Sequence, residues 1–227
     1  MKIAILVDGG FYRRRAQSCL GDVTAQERAD ELHTYCLRHI NKHESHTLYR
    51  IFYYDCLPME KRVYHPFLGK QVDFSKTELY TWTHAFMDEL KKKRKLAIRL
   101  GKLADEQAHF SIRPKIVKKL CNGTLKFDEL TEQDFQLEVD QKGVDMKIGL
   151  DIASLAFKKQ VDQIILISGD SDFVPAAKLA RREGIDFILD PLYSPIKPDL
   201  FEHIDGLMTC DARFKPATNN NLPKINH

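Results

Sequence analysis

Five aspartates stand at or near the ends of apolar segments of this sequence: Asp8, Asp145, Asp151, Asp170 and Asp172. If these carboxylates converge in space, each negative charge raises the pKa of its neighbours and destabilises the folded chain. A hard divalent cation with oxygen ligands and open water positions relieves that repulsion. The pattern therefore indicates an Mg²⁺ or Mn²⁺ site, which could activate water for attack on phosphorus.

Each aspartate taken alone has a structural explanation as well. An aspartate after a strand is often a turn former or a helix cap, and Asp145 could be the N-cap of the helix that it begins. Asp151 is the weakest candidate, because it lies roughly 120° around that helix from Asp145. A phosphatase with Asp8 as covalent nucleophile is disfavoured, because the Asp-x-Asp pattern of such enzymes is broken by Gly10.

The elements that must position these residues alternate between strands and helices. Short apolar runs predict strands at residues 2–7, 48–55, 163–168, 185–189 and 206–210. Helical spacing predicts helices at residues 11–19, 25–41, 144–159, 173–183 and 199–204. The alternation predicts an α/β fold with a mainly parallel sheet between two helical layers. In such sheets, sites form at the carboxyl ends of the strands, which is where these aspartates fall.

The middle of the chain, residues 56–141, is less regular. A helix at 74–93 and a strand at 95–103 are predicted there, among prolines and charge runs. We interpret this stretch as an elaboration inserted into one domain that spans residues 1–214. The polar residues 215–227 are expected to form a disordered tail.

Three motifs resemble the NYN domain family, within the PIN-like nucleases. They are Val-Asp-Gly-Gly-Phe at 7–11, Lys-Gly-Val-Asp-Met-Lys at 142–147, and Ser-Gly-Asp-Ser-Asp-Phe at 168–173. The resemblance implies a three-layer α/β/α fold and a divalent-metal ribonuclease site. By the resemblance, the acidic residues of the family's active site correspond to Asp8, Asp145, Asp170 and Asp172, with Asp151 as a possible fifth metal ligand. One departure is Gly10, where the family often has an asparagine.

Basic residues near these motifs are expected to bind nucleic acid: Arg13, Arg14, Arg15, Lys142 and Lys147. RNA is the expected partner, DNA is not excluded, and a non-catalytic RNA-binding regulatory module with the same fold is the alternative. The net charge of +3 neither demands nor excludes such a partner. Aromatic residues of the middle region, Trp82 and Phe86 among them, are expected either in the core or stacked on unpaired bases.

The remaining features narrow the class of protein. Five scattered cysteines without a Cys-x-x-Cys pair argue against a disulfide framework or a zinc site. No apolar run approaches the roughly 20 residues of a membrane span. The apolar N-terminus is predicted to be a core strand rather than a signal peptide. We therefore expect a cytoplasmic protein without a membrane partner, and self-association into a homo-oligomer stays open.

Overall fold

The computed structural model describes residues 1–40 and 45–215, and it is built on one six-stranded sheet. All its strands are parallel, in the order β12-β11-β10-β1-β2-β5. Their bounds are β1 Lys2–Asp8, β2 Thr47–Asp55, β5 Leu96–Leu100, β10 Gln163–Ile167, β11 Asp186–Asp190 and β12 Gly206–Leu207. The predicted α/β fold with a parallel sheet is confirmed.

Seven helices are described: α1 Gly9–Leu20, α2 Ala25–Arg38, α3 Glu78–Lys91, α4 Pro114–Cys121, α5 Val144–Phe157, α6 Val174–Arg182 and α7 Pro198–Phe201. Alternate residues of β1 point to opposite faces of the sheet, as the pleat requires. Ile3, Ile5 and Val7 pack in the same core cluster as α1, α2 and α3. Ala4 and Leu6 share the other cluster with α5, α6 and α7. The sheet is thus buried between two helical layers, which explains its continuous apolar strands.

The middle region contributes to the core and also forms an outlying lobe. Helix α3 buries Phe86 and Leu90, and β5 extends the main sheet beside β2. The lobe contains two antiparallel strand pairs, β3 Arg62–His65 with β4 Lys70–Asp73, and β7 His109–Ile112 with β8 Phe135–Glu138. Its ring contacts join His65 to Phe110 at a centroid distance of 4.1 Å. Part of the region that we expected to be an inserted elaboration therefore belongs to the core of the domain: β5 is a strand of the main sheet, and α3 is one of the helices that cover it.

A further short pairing joins the middle region to the start of α5. Strands β6 Lys102–Leu103 and β9 Gln141–Lys142 pair antiparallel, so the chain returns from the lobe beside the end of β5. Gly101 makes this corner, where an added Cβ would lie 2.7 Å from Val144 Cγ2 and 2.9 Å from the Lys142 carbonyl oxygen. This close approach fixes the first turn of α5 against the edge of the sheet.

Two predicted segments, the end of the second helix and the C-terminal tail, extend into residues that the structure does not describe. The predicted second helix extended to residue 41, whereas α2 ends at Arg38 and residues 41–44 are not described. Residues 216–227, most of the predicted tail, are likewise outside them. Among the helices of the described ranges, none combines the length and the apolar character that crossing a bilayer requires.

Candidate active site at the carboxyl edge of the sheet

Asp8 lies where β1 ends and α1 begins. Its side chain is the N-cap of α1, since Oδ1 accepts a hydrogen bond from Phe11 N at 2.9 Å. Oδ2 accepts from the hydroxyl of Ser168 at 3.2 Å. Burial raises the pKa of Asp8, the two hydrogen bonds and the Arg14 charge lower it, and the Asp145 charge raises it. Asp8 is therefore both a helix cap and a member of a charged group.

Ser168 connects Asp8 to the second acidic motif. Strands β1 and β10 are neighbours with Val7 opposite Ile167, so the residues that follow each strand lie side by side. The buried Ser168 hydroxyl accepts from Asp170 N at 3.2 Å while it donates to Asp8. This serine was absent from our expected site residues, although it is the last residue of the predicted strand.

Asp170 and Asp172 occupy the turn between β10 and α6. Asp170 caps a short 3-10 helix, Ser171–Phe173, by accepting from Asp172 N at 3.0 Å. Both side chains are exposed to solvent. The preceding Gly169 packs on Phe11, where a Cβ would lie 2.8 Å from the ring. The turn is thereby held against the start of α1.

Asp145 reaches the same edge from the first turn of α5. Gly143, with a left-handed φ of 80°, is the N-cap of this helix, so the expectation that Asp145 could be the cap is wrong. Burial raises the pKa of Asp145, and the charges of Asp170 and Asp172 raise it further. Asp145 is thus within electrostatic range of Asp8, Asp170 and Asp172, which come from two other parts of the fold.

Asp151 does not belong to this group. Its Oδ2 accepts from Tyr54 Oη at 2.8 Å and from Arg99 Nε at 3.2 Å. These partners lie on β2 and β5, away from the turn that carries Asp170. The helical offset from Asp145 explains the separation, and the structure argues against the inclusion of Asp151 as a metal ligand.

The three consecutive arginines of α1 have different partners. Arg13 forms a two-pronged ion pair with the buried Asp55, with both N–O distances at 2.9 Å. Arg15 donates to the carbonyl oxygens of Leu192 and Phe214. These two guanidiniums are engaged inside the fold, so their contacts argue against the expected role of Arg13 and Arg15 in binding nucleic acid. Arg14 is exposed and lies beside Asp8.

Further polar side chains surround the acidic group. A Cβ on Gly10 would lie 3.4 Å from Arg14 Nη1, 3.5 Å from Asp8 Oδ1 and 3.8 Å from Gln141 Oε1, all ordinary contacts. Lys142 is exposed on β9 next to Gln141. The Lys147 ammonium donates to the carbonyl oxygen of Leu100 at the end of β5.

Lys197 is a basic residue that the sequence reasoning missed. Its ammonium donates to the Ser171 hydroxyl at 3.0 Å, so it stands beside the turn that carries Asp170 and Asp172. It precedes α7, far along the chain from the acidic motifs, and no spacing pattern connected it to them. The structure therefore adds Lys197 to Arg14 as a cation at this edge.

The acidic group has the chemistry of a divalent-ion site, although its side chains are not arranged around one point. Carboxylate oxygens are suitable ligands, and the charges of Asp170 and Asp172 raise the pKa of Asp145 in addition to the effect of its burial. However, within residues 1–40 and 45–215 no three His, Cys, Asp or Glu side chains are placed so that they could hold one metal ion. The carboxylates are thus suitable ligands for a divalent ion, but their side chains would have to move closer together to bind one.

The all-parallel central sheet between helical layers, with acidic residues at its carboxyl edge, is consistent with a PIN-like three-layer fold. The family model of the NYN domain matches residues 80–195, just over half of the chain. The chain belongs to the NYN domain family, a family of PIN-like nucleases. The matched segment includes Asp145, Asp170 and Asp172, whereas Asp8 precedes it.

Comparisons with individual proteins add little. The crystal structure of a protein of unknown function from Vibrio parahaemolyticus is similar over 94% of each chain, with 16% sequence identity and a TM-score of 0.49. No curated protein matches the chain.

Proposed function

We propose that this protein is a metal-dependent ribonuclease that hydrolyses phosphodiester bonds. The observation that supports the proposal is the approach of carboxylates from three elements: the Asp145 charge raises the pKa of Asp8, and the charges of Asp170 and Asp172 raise that of Asp145 in addition to burial. Such repulsion is costly in a resting protein, and a fold that needed only caps would not gather it. Asp8, Asp145, Asp170 and Asp172 would hold Mg²⁺ or Mn²⁺. When bound, the ion would supply an activated water and neutralise charge on the leaving oxygen.

The chain's own groups have separate roles in this proposal. The Ser168 hydroxyl bridges the Asp8 side chain and the Asp170 backbone, so it fixes the distance between the two acidic motifs. The exposed side chains of Asp145 and Asp172 can change rotamer and approach an ion, whereas Asp170 would have to give up or share its capping bond with Asp172 N.

Cations around the acidic group would bind the phosphates of the substrate. Arg14 and Lys197 flank the group directly. Lys142 and Lys147 remain proposed contacts, and Lys147 would have to exchange its bond with the Leu100 carbonyl for a phosphate. RNA is proposed as the substrate because the family resemblance implies a ribonuclease.

A second candidate is a non-catalytic RNA-binding module that keeps the same fold. It is favoured by one observation, the lack of a ready three-ligand metal group in the described ranges. The capping roles of Asp8 and Asp170 would then be their main contribution.

Incubation of the purified protein with end-labelled RNA separates the two candidates. We would use a single-stranded RNA, a hairpin RNA and a DNA of the same sequence, each with Mn²⁺, Mg²⁺ or a chelator. The nuclease proposal predicts cleavage of RNA with metal and none with chelator. Saturable RNA binding without cleavage in either metal would support the binding module and refute the nuclease.

A further inference from the structure

A cleft of about 410 Å³ lies on the helical face that carries α1, α2 and α3. Its walls come from α1, the α1–α2 loop, the first turns of α2 and the start of α3. Arg13 lines the cleft and also binds Asp55, the residue after Tyr54, which pairs in register with Asp8. Through Arg13, one wall of the cleft is therefore joined to the end of β2, the strand that pairs with β1.

The aromatic wall of the cleft is held rigidly. The Trp82 indole donates its Nε1–H to the Val23 carbonyl oxygen at 2.9 Å. One side of the indole stacks on the buried Phe86, with the centroids 5.1 Å apart and the planes at 14°. Leu79 stands beside it with 63% of its surface exposed, although it is a large apolar side chain. A fixed indole beside an exposed leucine forms a preorganised surface for a flat ring.

The charges of the cleft decide which kind of ligand suits it. Two arginines line it, but Arg13 is neutralised by Asp55 and Arg28 by Glu31. The Glu78 side chain has no hydrogen bond or ion pair in the part of the chain that is described, and Asp22 accepts only from Gln17 there. The groups left to meet a ligand are therefore carboxylates. They favour N–H donors and oppose a bare phosphate.

From these observations we infer that the cleft binds an unpaired nucleobase with N–H donors on its Watson–Crick edge, guanine first. Guanine presents two adjacent donors to one carboxylate, whereas uracil presents one donor between two acceptors that a carboxylate repels. The volume lies within the usual range of small-molecule sites, roughly 300–1,000 Å³. The inference rests on the proposed function in one respect, that the substrate is RNA. The inference adds that this RNA is unpaired at the nucleotide whose base stacks on Trp82.

Trp82 is the one tryptophan of the sequence, so its indole N–H gives a single, assigned signal in a two-dimensional NMR spectrum. The full chain in chelator would be titrated with guanosine, uridine and inorganic phosphate. Guanosine should shift the signal saturably, uridine should bind at least severalfold more weakly, and phosphate should leave the signal in place. The absence of a saturable shift with guanosine, an equal affinity for uridine, or an equal shift with phosphate would each overturn the inference.

Two matched variants connect the signal to the cleft. Leu79→Ala should weaken guanosine binding roughly fivefold, because an apolar contact is lost while Trp82 stays in place. Leu150→Ala is the control, since Leu150 on α5 has a similar exposure of 61% and does not line the cleft. An equal effect of both variants would contradict the assignment to this cleft.

The inference and the proposed function can fail separately. A guanosine-dependent shift in a protein that cleaves no RNA would leave the base site standing and refute the nuclease. Metal-dependent RNA cleavage without any guanosine-dependent shift would leave the nuclease standing and refute the base site.

Discussion

Asp145 is the residue whose replacement separates a metal site from a set of helix caps. Asp8 and Asp170 both accept capping hydrogen bonds, and Asp8 also accepts from Ser168, so alanine at either position would remove a cap together with the charge. The Asp145 side chain forms no hydrogen bond within the described ranges, and the charges of Asp170 and Asp172 oppose it. Asp145→Asn therefore removes one charge and little else.

The expected change in stability without metal is small. Relief of exposed like-charge contacts contributes up to about 1 kcal/mol. Loss of a negative charge in the first turn of α5 costs about 0.3–1 kcal/mol, because it faces the positive end of the helix dipole. The two terms offset each other, so the free energy of unfolding in chelator should stay within about 0.5 kcal/mol of wild type.

The expected change with metal is large. Ion binding to the folded state alone adds about 2.7 kcal/mol when Mn²⁺ is present at a hundred times its Kd. For a chain of this size that corresponds to a rise in Tm of roughly 5–10 °C. Thermal melts in Mn²⁺ and in chelator should show this rise for wild type and lose most of it for Asp145→Asn.

Asp151→Asn is the matched control on the same helix. It weakens the contact with Arg99, which costs at most about 1 kcal/mol with or without metal. It should keep the full Mn²⁺ rise, because Asp151 lies outside the acidic group. A full Mn²⁺ rise in Asp145→Asn, or its loss in Asp151→Asn, would refute the proposed ligand set.

Two further pairs of variants test the packing and the charge around the site. Gly9→Ala should destabilise the protein by about 1–3 kcal/mol in denaturant melts, because the added Cβ would lie 2.5 Å from the Tyr53 ring. Gly149→Ala should instead stabilise the protein by about 0.5–1 kcal/mol in the same melts, because this position lies within α5 and its added Cβ would have nothing within 4 Å. If both alanines lower stability equally, the close contact at Gly9 is not the cause. Arg14→Gln should weaken RNA binding and reduce the slope of log affinity against log salt by about 1, whereas Arg15→Gln should lower stability and leave that slope unchanged. Equal slopes for wild type and Arg14→Gln would exclude Arg14 as a phosphate contact.

The sheet was predictable because its strands are buried on both faces. Such strands are continuous apolar runs, and residues 2–7 and 163–168 match β1 and β10 to within one residue. The placement of Asp8 beside Ser168 follows from parallel pairing alone. The edges of the fold were harder, since two-residue strands such as β6 and β9 have no recognisable period.

Side-chain partners were the part of the site that the sequence could not predict. Successive helical residues are about 100° apart, so three arginines in a row cannot all face one edge. Which of them faces the acidic group depends on partners distant in sequence, Asp55 for Arg13 and Phe214 for Arg15. Asp151 is a similar case, because its partner Tyr54 is a buried core residue of β2, and an apolar strand gives no sign that one of its tyrosines binds a carboxylate.

The cleavage rate of Asp8→Asn, measured in a single turnover with saturating RNA and Mn²⁺, tests the central claim most directly. Asparagine caps a helix almost as well as aspartate, so the variant should fold and bind RNA as wild type does. Loss of one charged ligand should slow cleavage roughly a hundredfold or more, since the ion contributes several kcal/mol to the transition state. Cleavage at the wild-type rate by a folded Asp8→Asn protein would show that this carboxylate is a helix cap and that the chemistry lies elsewhere.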